Sequence, residues 1–245
     1  MKKLVMFAAL AALILTTGTA LAAREVQVTP ITGPAATIYP GLQAAGANPV
    51  CEVGNLNPIA FAITGWVLGM EKYKTLFTAD PTGCSICTEG FNVASVGLFM
   101  QFGLEDVPAT FDARVDFEEA VWDESLGCFL PGATICQSSV YTITIDAPGL
   151  YNIALPLDTA CACAEFGFTY GIGFEFLTAF ASAPDLITDA FPIGCTSYND
   201  YGSGWVDLFG FGFPGETIMK AEIECCNNPV ATEGSTWGSI KSMFR

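Results

Sequence analysis

From residue 166 to residue 176 the chain alternates without a break. Phe166, Phe168, Tyr170, Ile172, Phe174 and Phe176 are bulky and apolar, and Gly167, Thr169, Gly171, Gly173 and Glu175 stand between them. A period of two marks a β-strand with one buried face and excludes an amphipathic helix over the same residues. The glycine row leaves room for another layer or a ligand to come close, though a tightly packed sheet face is the simpler reading. Phe111, Ala113, Val115 and Phe117 repeat the pattern against Asp112, Arg114, Asp116 and Glu118. So do Tyr141, Ile143 and Ile145, and then Tyr151, Ile153, Leu155 and Leu157, with the turn residues Ala147-Pro148-Gly149 predicting a hairpin between them. Residues 205–209 and 217–225 complete the set. Helical periodicity is weak outside residues 59–77 and the last ten. Seven to ten strands with Gly/Pro turns predict an all-β fold, an antiparallel β-sandwich of jelly-roll or immunoglobulin-like type. No repeat of fixed period points to a propeller or solenoid.

The start of the chain sets the compartment. Met1-Lys2-Lys3, an apolar run from Leu4 to Leu15 and Ala20-Leu21-Ala22 read as a secretory signal peptide over residues 1–22. The expected destination is secretion or the cell surface of a bacterium. No later apolar stretch is long and uninterrupted enough to span a bilayer as a helix, and a ten-cysteine chain fits a transmembrane β-barrel poorly. Residues 23–58 carry five prolines (Pro30, Pro34, Pro40, Pro49, Pro58) and read as an arm that adds an edge strand through Val26 and Val28. Residues 59–228 form the sandwich domain and residues 229–245 a separate tail.

In an exported chain, Cys51, Cys84, Cys87, Cys128, Cys136, Cys161, Cys163, Cys195, Cys225 and Cys226 are expected as structural disulfides. Their spacing leaves the connectivity open. Cys84-Ser-Ile-Cys87 has the form of a redox or zinc CxxC, but no βαβ pattern surrounds it and no second pair has zinc-ribbon spacing.

Composition removes whole classes of function. There is no histidine, so Ser-His-Asp and Cys-His catalysis, His-ligated zinc and proximal-His haem are absent. Nine basic residues against 25 acidic ones, a net charge of −16, leave nothing to track a phosphate backbone, so nucleic acid is not a partner.

Two internal stretches carry polar chemistry. The first runs from Thr196 to Trp205 and includes Tyr198, Asn199, Asp200, Tyr201 and Trp205. Exposed Tyr and Trp beside Asn and Asp would make a platform for sugar rings; an ordinary turn with a buried Trp205 is the plainer alternative. The second holds Glu105, Asp106, Asp112, Asp116, Glu118, Glu119, Asp123 and Glu124. Paired carboxylates could hydrolyse glycosides or hold a structural calcium ion, although EF-hand spacing is missing; the solvated face of one strand and its turn is the expected role.

The chain ends Thr-Glu-Gly-Ser-Thr-Trp-Gly-Ser-Ile-Lys-Ser-Met-Phe-Arg over residues 232–245, behind Cys225, Cys226, Asn228 and Pro229. As a short helix capped by Ser235 or Thr236, it would place Trp237, Ile240 and Phe244 on one face, with Lys241 and Arg245 near its C-terminus. This ending resembles the T-E-x-S-T-W-G-x-I-K-x-[LM]-[YF]-R tail of uncharacterised secreted bacterial proteins. The resemblance implies export and a tail read by sorting or docking machinery through Trp237, Ile240, Lys241, Phe244 and Arg245. It implies no activity. Together these readings describe an exported, non-enzymatic binding or adhesion module without cofactor, its partner an extracellular glycan or a surface protein, with carbohydrate first. A secreted hydrolase using two carboxylates and a structural coat or matrix component are the alternatives.

Overall fold

The structure, a computed structural model, describes residues 26–31, 33–38, 51–80, 84, 87, 89–159 and 161–226. The signal segment and the tail residues Trp237, Ile240, Lys241, Phe244 and Arg245 lie outside them.

Alternation governs both faces of a two-sheet sandwich. The eight-stranded sheet contains β1 (Val28–Pro30), β2 (Ala36–Ile38), β3 (Cys51–Gly54), β4 (Phe61–Ile63), β6 (Phe91–Phe102), β10 (Gly149–Pro156), β12 (Asp185–Thr188) and β15 (Met219–Cys225). The seven-stranded sheet contains β5 (Lys72–Thr78), β7 (Ala109–Asp123), β8 (Cys128–Gln137), β9 (Tyr141–Ile145), β11 (Thr169–Phe176), β13 (Ser197–Asp200) and β14 (Trp205–Asp207). The long β6 and β7 organise their sheets. β6 pairs with β10 along one edge and with β12 and β15 along the other, while β7 takes β11 on one edge and β8 and β9 on the other. All pairings are antiparallel except β2 against β10.

The core is the interleaving of the two inner faces. Phe111, Ala113, Val115 and Phe117 of β7 and Ile172, Phe174 and Phe176 of β11 are buried, as the period of two requires. Rings cross the interface: Phe91 of β6 lies 6.0 Å from Phe117 and 5.8 Å edge-on from Tyr170, and Phe102 lies 6.3 Å from Phe111. Such pairs add specificity to the area they bury.

Three expectations change. Residues 141–145 and 149–156 are not a hairpin: β9 joins the seven-stranded sheet and β10 the eight-stranded one, so Ala147-Pro148-Gly149 carries the chain from one layer to the other. The helix-like stretch 59–77 contains β4 and β5, separated where Gly69 and Met70 adopt positive φ (80° and 54°) and the backbone turns. A Cβ on Gly69 would also lie 2.8 Å from Cα of Ala179. Among the described residues the strands number fifteen rather than seven to ten, because strands of three or four residues show no periodicity. Within the Pro-rich N-terminal segment, β1 forms the expected edge strand beside β4, while β2 and β3 pair with β10 and β15.

All ten cysteines are paired: Cys51–Cys84, Cys87–Cys225, Cys128–Cys195, Cys136–Cys161 and Cys163–Cys226. Cys84 and Cys87 bond to different partners, so they are neither a redox couple nor a zinc-ligand pair. Each bridge contributes about 2–4 kcal/mol by restricting the unfolded chain.

Candidate functional site

The outer face of the eight-stranded sheet carries a groove of about 380 Å³. Its floor follows from register. Phe99 of β6 stands opposite Asn152 of β10, Gly97 opposite Ala154 and Lys220, and Ser95 opposite Glu222, which in turn faces Glu52 of β3. Gly33, Pro34 and Ala35, between β1 and β2, form one wall. Gly97 is required in the centre because Asn152 folds across it. A Cβ there would lie 3.2 Å from the Asn152 Cγ and 3.3 Å from its Nδ2.

The groove mixes donors, acceptors and an apolar patch. Ser95 Oγ donates to Glu222 Oε2 at 2.9 Å and Lys220 Nζ to Glu52 Oε2 at 3.4 Å. The Lys220 ammonium also lies 5.4 Å from the centroid of the Phe99 ring. Asn152 Oδ1 is buried and accepts no hydrogen bond among the described residues. An orphaned buried acceptor costs about 1–3 kcal/mol, which rotation of the Asn152 amide toward a donor in the groove would recover.

The stretch around Trp205 is placed differently from an open aromatic platform. Tyr198 and Asn199 are buried in β13; Asp200, Tyr201 and Trp205 are half-buried. Tyr198 Oη donates to the Phe129 carbonyl at 2.7 Å, and burial pushes its pKa up to about 12. Asn199 Nδ2 donates to Glu71 Oε2 at 3.2 Å and to the Lys72 carbonyl at 2.9 Å. Burial likewise raises the Glu71 carboxyl. Asp200 accepts from the amides of Gly202 and Gly204 and lines a smaller hollow of about 260 Å³ with Met70, Lys72 and Glu175.

Nor is the acidic stretch a simple solvated face. Glu119 and Glu124 are exposed, and Asp123 makes a tight turn by accepting from the Ser125 hydroxyl and from the amides of Leu126 and Ser125, which lowers its pKa. Asp116 and Glu118, however, are 2% and 6% exposed. Both pair with Lys74 Nζ, the Glu118 Oε1 contact being 2.6 Å, and Lys74 is fully buried. The reason is local. Gly173 of β11 separates Lys74 from Asp116 in register and offers no side chain, so the two reach each other across it. Trp205 then covers the ammonium at 5.6 Å, and the Cys128–Cys195 bridge holds β8 beside Tyr198. Among the described residues no three Asp, Glu or Cys side chains converge as metal ligands.

A family model described as a domain of unknown function, DUF7451, matches residues 67–222. The chain belongs to this family. The matched DUF7451 residues run from the segment before β5 into β15 and include the Lys74 cluster and most of the groove floor. No curated protein matches the chain. Among solved structures, the cysteine protease and lectin-like domains of Cwp84, a surface layer associated protein of Clostridium difficile, align over 65% of this chain and 33% of that one. The TM-score is 0.41 and the identity 10%.

Sequence reasoning missed the groove residues Ser95, Asn152, Lys220 and Glu222. A signal was present: Ser95 and Gly97 alternate with buried apolar residues in a run that reads simply as hydrophobic.

Proposed function

We propose that this protein is an exported, non-catalytic binding module whose groove on the eight-stranded sheet takes a neutral carbohydrate. The observation that carries the reading is the unpartnered Asn152 Oδ1 beside the Phe99 patch, with Ser95, Glu222, Lys220 and Glu52 around it. A sugar offers hydroxyls that both donate and accept, and an apolar ring face. The groove supplies carboxylate and amide acceptors, an ammonium donor and an aromatic edge. A net charge of −16 repels anionic polymers and favours an uncharged ligand. Five disulfides belong to an oxidising compartment, which supports action outside the cell or at its surface.

Titration of the purified, oxidised protein against a panel of neutral oligosaccharides tests this. Saturable binding is expected, weakened about tenfold or more by Asn152→Ala or Glu222→Ala without loss of folding. Absence of saturable binding, or binding that both variants leave unchanged, would defeat the reading.

A further inference from the structure

Lys74, Asp116 and Glu118 are an unusual group to find buried on the outer face of a sandwich sheet. A lysine ammonium taken out of water loses strong solvation, and its attraction to two carboxylates offsets that loss only in part. Three features of the cluster suit a different outcome. The amine and one carboxyl group are in direct contact over Gly173, on strands that are not neighbours. A second carboxylate, Glu118 Oε1, sits 2.6 Å from the same nitrogen, while its Oε2 has no hydrogen-bond partner among the described residues. Finally, the group is closed to solvent, with Lys74 0%, Asp116 2% and Glu118 6% exposed.

We propose that Lys74 and Asp116 become joined by an isopeptide bond between Lys74 Nζ and Asp116 Cγ, with Glu118 carrying the protons. The step balances without any outside reagent. One proton passes from the Lys74 ammonium through Glu118 to Asp116, giving a neutral amine and a neutral carboxylic acid. The nitrogen lone pair attacks Asp116 Cγ, forming the C–N bond. Glu118 takes the second proton from nitrogen and delivers it to the departing hydroxyl as the C–O bond breaks. One water leaves and Glu118 returns to its starting state; nothing is oxidised or reduced.

Positioning supplies the drive. Well-oriented intramolecular groups react with effective molarities of about 10⁵–10⁸ M, enough to overcome the reluctance of an amine and an acid to condense in water. The dry site favours the neutral amide product, because it replaces buried charges. Burial also raises the Glu118 carboxyl, against the lowering effect of Lys74, as suits a group that must hold and release a proton. Thr134 Oγ1 donates to Glu118 Oε1 at 3.0 Å and orients it.

The test is intact mass of the secreted full chain after complete reduction and alkylation. The expected mass lies below that of the processed sequence by one water, and fragmentation is expected to find a branched peptide joining Lys74 to Asp116. Asp116→Asn should lose one ammonia instead, and Glu118→Ala should show the full mass with Lys74 again open to trypsin. A wild-type chain of full mass, or a missing water mapped to other residues, would overturn the bond even if no variant folds. A Glu118→Ala protein that is still linked would overturn the role given to Glu118.

Discussion

Two rows of charge cross the outer face of the seven-stranded sheet, two residues apart on each strand, and they follow opposite plans. In the first, Glu175 of β11 stands between Lys72 and Arg114, accepting from Arg114 Nε at 2.5 Å and pairing with Lys72 at 3.3 Å. A carboxylate between two cations alternates sign along the row, and both cations reach solvent. In the second row Gly173 takes the central place, so Lys74 and Asp116 meet directly beneath Trp205 with Glu118 two residues further along β7. Two exchanges of side chain, Glu for Gly on β11 and Arg for Asp on β7, separate the open ion ladder from the closed cluster. Charge pattern alone does not set behaviour; what lies between the charges and what covers them does.

The contrast is broken most severely by Lys74→Met. The Asp116 and Glu118 carboxylates are then buried with neither a cation nor an amide beside them, and denaturant unfolding with the disulfides intact should show a loss of at least about 3–5 kcal/mol. A milder version is Gly173→Ala. Its Cβ would meet Lys74 Nζ at 2.6 Å and Cε at 2.7 Å, and a loss of about 1–3 kcal/mol is expected. Gly171→Ala is the internal control, because its Cβ meets the end of the Leu76 side chain at 3.0 Å and the Glu118 Cβ at an ordinary 3.9 Å, and neither Lys74 nor Asp116. If both glycine variants cost the same, the particular role of Gly173 is gone.

Burial without a cation can be separated from burial with one at Glu216. Its carboxyl accepts from the Ile193 amide at 2.7 Å, and burial, reinforced by Asp207 and Asp189, pushes its pKa from 4.5 to about 7. The folded state therefore binds a proton that the unfolded state has released. This stability is full below pH 4.5 and disappears as pH rises through about 7. Glu216→Gln should flatten that slope and make the protein more stable at pH 8, by about 1–2 kcal/mol, in melts run across pH. A wild-type protein with no slope between these limits would sink the assignment. The smallest effect belongs to the open ladder: Arg114→Ala should cost less than about 1 kcal/mol, and added salt should shrink that further.

How much of this was legible in the chain depended on whether the cause was local. The alternations in β7, β9, β10 and β11 gave their strands and inward faces, since one buried sheet face imposes a period of two, except that residues 166–168 turn before β11 begins at Thr169 and leave Phe168 exposed. β9 and β10 were nonetheless assigned to one hairpin, because Ala147-Pro148-Gly149 reads the same whether a chain turns back or crosses to the other layer. The three-residue strands β2 and β4 are too short to show a period, and β1 was legible only as an edge beside the prolines. The glycine row at 171 and 173 announced a close approach. Its occupants could not be named, because Lys74 lies about a hundred residues upstream and only pairing brings it there. Burial of Asp116 and Glu118 depends on β13, β14 and a cross-linked β8 lying nearby, which no alternation encodes. The groove was invisible for a related reason: Ser95, Asn152 and Glu222 come from three separated strands that adjoin only in register.

The last strand ends in adjacent cysteines that fasten it at two places, Cys225 to Cys87 and Cys226 to Cys163. Cys87 precedes β6 and Cys225 closes β15, so nearly the whole domain lies inside one covalent ring. A protease that cuts any single peptide bond between residues 87 and 225 opens that ring without releasing a piece. The severed ends stay tethered through sulfur, so the chain can be nicked once and still remain one body.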